Sequence, residues 1–359
     1  MVMNANDIIR YRLFNQQIAE TKFKKPAEIV SWLVAMQAQE YAMSKWAIGL
    51  RLPGTTDETI EKAFTDGLIL RTHLMRPTWH FVTPKDIRWL LKLTAPRVEA
   101  FNAFTYRQEK LDNTIFKRSN KIIAKALEGG KQLTRSELQE ALKQKKIIAS
   151  GVSLSCLMMK AELEGIICSG ARKGKQFTYA LLEERVPSAK PLTKKEALSE
   201  LATRYFTSRG PATVKDFATW SGLSVTEAKE GAAMLPSRFI HERINEHDYI
   251  FEPNSFKTNG KIQTSFLMPD YDEYGMGYKD RSAIFNTKVD LSQFKNENPI
   301  FNRMIIIDGK IEGSWKRIFK NNTVSIETAA FSPLPKTKQQ VLTKAIKKYC
   351  EFVGKKVEE

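Results

Sequence analysis

The sequence predicts an α+β fold, mainly helical, in which three helical modules in tandem precede a small C-terminal β-domain. Three observations predict it. A plan of helices followed by two short β-rich runs around a turn comes three times along the chain. Helix start and stop signals recur in the copies. After Pro253 the character changes to β-rich, up to one last helix.

The first module covers residues 1–110. PAEIVSWLVAM spaces Ile29, Leu33 and Met36 at i, i+4 and i+7, the stripe of an amphipathic helix. Pro26 suits its start, where a missing N–H costs nothing. TTDETIEKAFTDG predicts a second helix, opened by a Thr55–Glu58 capping box and stopped at Gly67. LILRTHL and RPTWHFV follow as strands. The second module, residues 111–190, has LTRSELQEAL with a Thr134–Glu137 capping box, then SLSCLMMKAELEG ended by Gly165. Its strand-like runs, IICS and FTYALL, flank the turn GARKGKQ.

The third module, residues 191–256, repeats the plan most plainly. TVKDFATWSGLSVTEAKEGAAML holds two helices around a Ser221–Gly222 turn, the second capped by Ser224 and Glu227, and FIHERI and DYIFEP form a hairpin. Helix-turn-helix plus hairpin is the winged-helix plan. In residues 257–359, KIQTSFLMPDYDEYGMGYKDR, NRMIIIDGKIEGSWKRIF and NTVSIETAAF read as β-rich, with Asp308–Gly309 turning between two strands. The helix TKQQVLTKAIKKYCEFV directs Val341, Ala345 and Cys350 or Phe352 inward.

The 359 residues carry a formal net charge of +17, which speaks of partners rather than of fold. The expected acidic partner is nucleic acid, and an anionic membrane surface is the second. A membrane role is opposed by the lack of a strong basic amphipathic helix and of any run of ~18 apolar residues. MVMNANDIIRYRLF lacks the apolar core of a secretory signal. Cys156, Cys168 and Cys350 are scattered and odd in number, which argues for a reducing cytosol and against disulfides or a Cys-based zinc site. His241 and His247, six apart, would lie on different faces of a helix. The expectation is a cytoplasmic, nucleoid-associated monomer without metal or cofactor.

In LVAMQAQEYAM, Gln37 and Gln39 stand two apart around Ala38. On a helix they would point away from each other. If the helix ends at Met36 or Gln37, extended chain sets both on one face, able to converge on one object. The other reading is a helical C-terminal turn with solvated amides.

MQAQEYAMSKWAIGLRLP, LRTHLMRPTWHFVTPKDIRWL and LMPDYDEYGMGYKDRS, in that order, resemble the AlkZ/YcaQ-type winged-helix DNA glycosylases, over a stretch running from Asp7 to Phe352. The resemblance implies a C-shaped clamp for double-stranded DNA, made of three winged helices and a β-domain, with a Gln-x-Gln or Gln-x-Asp catalytic centre. Gln37, Ala38 and Gln39 match the Gln-x-Gln, AlkZ-like form. It also implies a DNA glycosylase that excises N7-alkylated purines and unhooks interstrand crosslinks. Two positions depart: Pro77 stands where the family usually has glycine before the Thr-x-His run, and Ala38 is smaller than the residue many members carry.

Amides suit this chemistry. Most glycoside hydrolysis calls on a carboxylate. An N7-alkylpurine is already cationic and leaves readily, so the enzyme is expected to be monofunctional, with water as nucleophile. A glutamine carbonyl can position that water and face the growing positive charge on the sugar as a fixed dipole.

The candidate DNA contacts are Arg71, Arg76 and His80 on the first hairpin and Arg172, Lys173 and Lys175 on the second. Tyr271, Tyr274, Lys279 and Arg281, with Tyr278, interleave aromatic and basic groups near the β-domain. His80 could instead orient a catalytic amide or be a satisfied core histidine, and for the tyrosines the alternative is core packing. Asp270 and Asp272 are competing catalytic carboxylates or turn-forming residues. The competing function is a non-catalytic winged-helix DNA-binding regulator or architectural protein; in a regulator the glutamines would read base edges.

Overall fold

The computed structural model describes residues 3–244, 246–253, 264–285 and 303–357. Among them are fourteen α-helices and thirteen strands, a mixed α and β fold. The β-run expected at residues 261–263 and the boundary expected at 256/257 lie outside the described residues. The chain forms two compact units, one of residues 1–61, 199–220 and 224–359, the other of residues 62–198 and 221–223. Residues 1–110 therefore contribute to both.

In the unit built on residues 62–198, strands Leu70–Leu74 and Thr78–Val82 pair antiparallel with Thr72 opposite His80. Helices Pro84–Gln108, Asn113–Leu127, Arg135–Gln144 and Gly151–Leu163 follow. The Thr134–Glu137 capping box forms as expected, and Gly165 ends its helix at φ +67°. A three-stranded sheet runs in the order Leu133–Thr134, Thr178–Leu181, Ile167–Ser169. Phe116, Ile123, Leu138, Leu157 and Ile167 pack its core.

Helices Val214–Ser221 and Val225–Ala233 lie on either side of Gly222, at φ +73°. Strands Ile240–Ile244 and His247–Phe251 form the expected hairpin. The C-terminal sheet has the order Lys356–Val357, Thr323–Ala330, Lys310–Lys320, Met304–Ile307, Ser265–Leu267. Trp46 and Trp315 both meet Tyr349 of the last helix edge-on, at 5.1 and 4.9 Å between ring centroids.

Two local expectations shift by one residue. Thr56, not Thr55, caps the helix Asp57–Thr65, its hydroxyl accepting the Thr59 N–H at 3.2 Å. On the helix Lys336–Val353, Leu342 is buried where Val341 was expected, along with Ala345, Tyr349, Cys350 and Phe352.

Asp308 and Gly309, at φ +51° and +79°, form the two-residue turn between Met304–Ile307 and Lys310–Lys320. A Cβ on Gly309 would lie 2.0 Å from Cγ2 of Ile9. Gly309→Ala is therefore expected to cost about 1–3 kcal/mol through overpacking, read as a lower denaturation midpoint. An unchanged midpoint would mean that the Ala5–Asn15 helix is not seated against this turn.

Candidate active site

The helix Pro26–Leu33 stops earlier than its apolar stripe suggests. Val34 follows at φ +67°, ψ −56°, and the Ala35 N–H donates to the Leu33 carbonyl at 2.7 Å. That is a γ-turn with positive φ, a strained conformation, here at a β-branched residue. It swings the chain into the extended segment Met36–Gln37, so Met36 belongs to extended chain rather than to the helix stripe. Gln37 is 7% exposed and Ala38 is buried, while Gln39 is exposed. Two residues beyond Gln39 the helix Tyr41–Leu50 begins, capped by the Glu40 carboxylate on the Met43 N–H at 2.8 Å.

A buried ion pair holds this turn. Arg209 donates from Nη1 to the Leu33 carbonyl at 3.0 Å and from Nη2 to the Ala35 carbonyl at 3.1 Å. Its Nη2 also meets Glu273 Oε2 at 2.6 Å, with side-chain exposures of 0% and 2%. The other carboxylate oxygen, Oε1, accepts the Gln37 backbone N–H at 2.9 Å. Trp220 completes the set, donating from Nε1 to Glu273 Oε2 at 2.9 Å, with its ring centroid 4.2 Å from the guanidinium carbon. One arginine thus fixes both ends of the γ-turn, and its carboxylate partner fixes the residue that carries the first amide. Charges this deep persist only when paired and hydrogen-bonded, as these are.

A second pair stands beside it. Arg51 grips Asp272 through two 2.8 Å contacts, both side chains at 0% exposure. Asp272 also caps the short helix Glu273–Met276, accepting the Tyr274 N–H at 2.8 Å. This is the turn-forming role considered for it. Asp270 pairs with Arg303 at 3.2 Å, and burial pushes its carboxyl above the ordinary range. The chain places Gln37 in extended and Gln39 in bent backbone, outside any helix, with Gln37 buried and Gln39 exposed.

The other expected site residues separate into two groups. Tyr274 is fully buried, its hydroxyl donating to the Gly309 carbonyl at 2.7 Å, so it packs the core and cannot stack on a base. Tyr278 is likewise at 0% exposure, beneath the Arg12 guanidinium at 3.7 Å. His80 is fully buried, with Nδ1 3.0 Å from the Thr78 carbonyl. Arg281 is half-buried and donates from Nε to the Gly275 carbonyl at 2.8 Å. Lys279, Lys173 and Lys175 are exposed; Tyr271, Arg76 and Arg172 are half-buried. Lys173 is paired with Glu137 at 3.0 Å. Arg71 is 7% exposed, stacked against Trp79 and Phe177.

Arg209, Glu273, Trp220 and Arg51 escaped the sequence reading. The one trace of them was a pair of adjacent acids, Asp272 and Glu273, in a stretch otherwise rich in apolar and aromatic residues. Among the described residues there is no cluster of three or more potential metal ligands, and no helix is long and apolar enough to cross a membrane.

A model of the AlkZ-like DNA glycosylase family matches residues 30–352. The interstrand DNA cross-link repair glycosylase of Streptomyces sahachiroi is 19% identical to this chain, over 97% of it and 95% of that protein. The solved structure of Streptomyces sahachiroi DNA glycosylase AlkZ superposes with a TM-score of 0.77 at 17% identity, covering 100% of both chains, a likeness of fold. The family match runs unbroken from the helix before the γ-turn, across Gln37, Gln39, Arg209 and Glu273, to the last helix, and the chain belongs to the AlkZ-like DNA glycosylase family.

Proposed function

We propose that this chain is a monofunctional DNA glycosylase that hydrolyses the N-glycosidic bond of N7-alkylated purines, interstrand crosslinks included, with Gln37 and Gln39 as its catalytic amides. The observation that carries this reading is the extended Gln37 segment, anchored through Leu33, Ala35 and its own N–H to the Arg209–Glu273 pair. An anchored backbone gives the amide dipole a fixed direction, which is what makes a neutral group useful against charge that appears only in the transition state. The alkylated base departs as a neutral purine with the electrons of the glycosidic bond, water oriented by the amide oxygens adds to the sugar carbon as cation character grows there, and its proton passes to solvent.

In this reading the three hairpins, Leu70–Leu74 with Thr78–Val82, Ile167–Ser169 with Thr178–Leu181, and Ile240–Ile244 with His247–Phe251, are the wings of three winged helices on one monomer. The test is a duplex carrying a single N7-methylguanine: incubation should produce abasic sites that alkali cleaves. Binding without abasic sites, altered in sequence preference by changes at Gln37 or Gln39, would establish a regulator instead. Water as nucleophile also predicts that borohydride traps no protein–DNA adduct and that EDTA leaves the rate unchanged. A trapped adduct would show a lysine Schiff base, and loss in EDTA a required metal.

A further inference from the structure

In the unit built on residues 62–198, a cleft of about 370 Å³ is bordered by Arg71, Trp79, Arg135, Ser136, Lys175 and Phe177 among others. Its lining carries three cations and no carboxylate. We propose that this cleft binds a phosphate group of a nucleic-acid strand, a subsite made without Gln37 or Gln39. The proposal rests on the reading of the chain as a DNA-acting protein.

Arg71 is the centre of the argument. Its guanidinium carbon lies 4.1 Å from the Trp79 ring centroid and 4.6 Å from that of Phe177. Arg172 meets the same Phe177 ring at 5.0 Å, so guanidinium and aromatic groups alternate along one wall. A guanidinium held against rings keeps its charge and a set plane, and a planar guanidinium is the group that matches paired phosphate oxygens. Its backbone N–H is fixed as well, donating to Ser169 Oγ at 2.8 Å.

The rest of the cleft adds positive potential. Lys175 is exposed on the hairpin tip, in a tight turn with Gly174 at φ +62°, closed by Lys173–Gln176 hydrogen bonds of 3.0 and 3.1 Å. Arg135 is tied to the Gly151 carbonyl at 3.0 Å and Ser155 Oγ at 2.8 Å, so it supplies field more than contact. Ser136 stands exposed in the first turn of the ten-residue helix Arg135–Gln144, the end that favours negative charge. The nearby carboxylate of Glu137 is answered by Lys173 at 3.0 Å and by the Thr134 N–H at 2.7 Å. A flat basic surface would suffice to neutralise a duplex backbone. A concave site with a stacked arginine is a place for one phosphate at a defined position.

The test uses the full chain and a fluorescently labelled, unmodified single strand, which holds no excisable base, so its outcome is independent of the glycosylase reading. Lys175→Glu and Ser136→Asp put a negative charge at the cleft, and both sites are exposed; an acid in a first turn also suits the helix. The control is Lys121→Glu, an exposed charge change elsewhere on the same unit. Each cleft variant should bind about tenfold more weakly than the control, with a log–log salt slope shallower by about 1. Competition distinguishes the phosphate's source. Displacement by an unlabelled strand without terminal phosphate marks an internal phosphodiester, and a need for a 5′-phosphate marks a strand end. Equal displacement by inorganic phosphate at the same concentration would overturn the strand assignment. Cleft variants that bind like the control, with an unchanged salt slope, would overturn the subsite, whatever the abasic-site assay shows.

Discussion

Gln37→Ala and Gln39→Ala should each slow excision of N7-methylguanine, by about 10²–10³ for the larger effect, roughly 2.7–4 kcal/mol of transition-state stabilisation. Duplex affinity should stay nearly unchanged, because the amides act on charge that the bound ground state has not yet developed. The two substitutions should differ. Gln37 is 7% exposed and Gln39 is exposed, and a dipole is worth more where water is scarce. Gln37→Ala should therefore be the slower variant. Single-turnover rates at saturating enzyme separate this from binding. Equal rates in wild type and both variants would remove the amides from the chemistry, and a larger loss at Gln39 would show that exposure in the free protein does not describe the DNA complex.

What the sequence made legible was local. The capping boxes at Thr134–Glu137 and Ser224–Glu227 form because both partners lie within one turn and need nothing else. The Asp308–Gly309 turn is of the same kind. The γ-turn at Val34 was not legible, because a β-branched residue at positive φ contradicts its own propensity. It is held by Arg209 and Glu273, remote in sequence, which no short-range period reports. The stripe Ile29, Leu33, Met36 therefore ran one turn too far. The burial of Tyr274 and His80 was not legible for a related reason: polar tips on large side chains read alike inside and outside. Only the partner, a Gly309 carbonyl for Tyr274 and the Thr78 carbonyl for His80, reveals the burial. Nothing in YDEYG distinguishes an acid that caps a helix from one that clamps an arginine. Asp272 does both, and Glu273 does the second.

Arg209→Met should be the most damaging single change outside the amides. It leaves Glu273 buried without its countercharge, a loss on the order of 3–5 kcal/mol, and frees a γ-turn whose strain is of order 1–3 kcal/mol. Arg209→Lys should rescue little, since an ammonium cannot span the Leu33 carbonyl, the Ala35 carbonyl and the carboxylate as the planar fork does. Stability and positioning can be told apart with the double variant Arg209→Met, Glu273→Gln. It removes both charges, and its amide oxygen can still accept the Gln37 N–H, so much of the folding stability should return. The two carbonyls flanking Val34 remain unheld, however, and relaxation of the turn should move the amides. A displacement of about 1 Å near a reacting centre can cost ~10²-fold in rate. The double variant is thus expected to melt near wild type, bind duplex DNA normally, and still excise slowly. Wild-type excision in a well-folded double variant would show that the buried pair serves folding alone, and that Gln37 and Gln39 find their geometry without it.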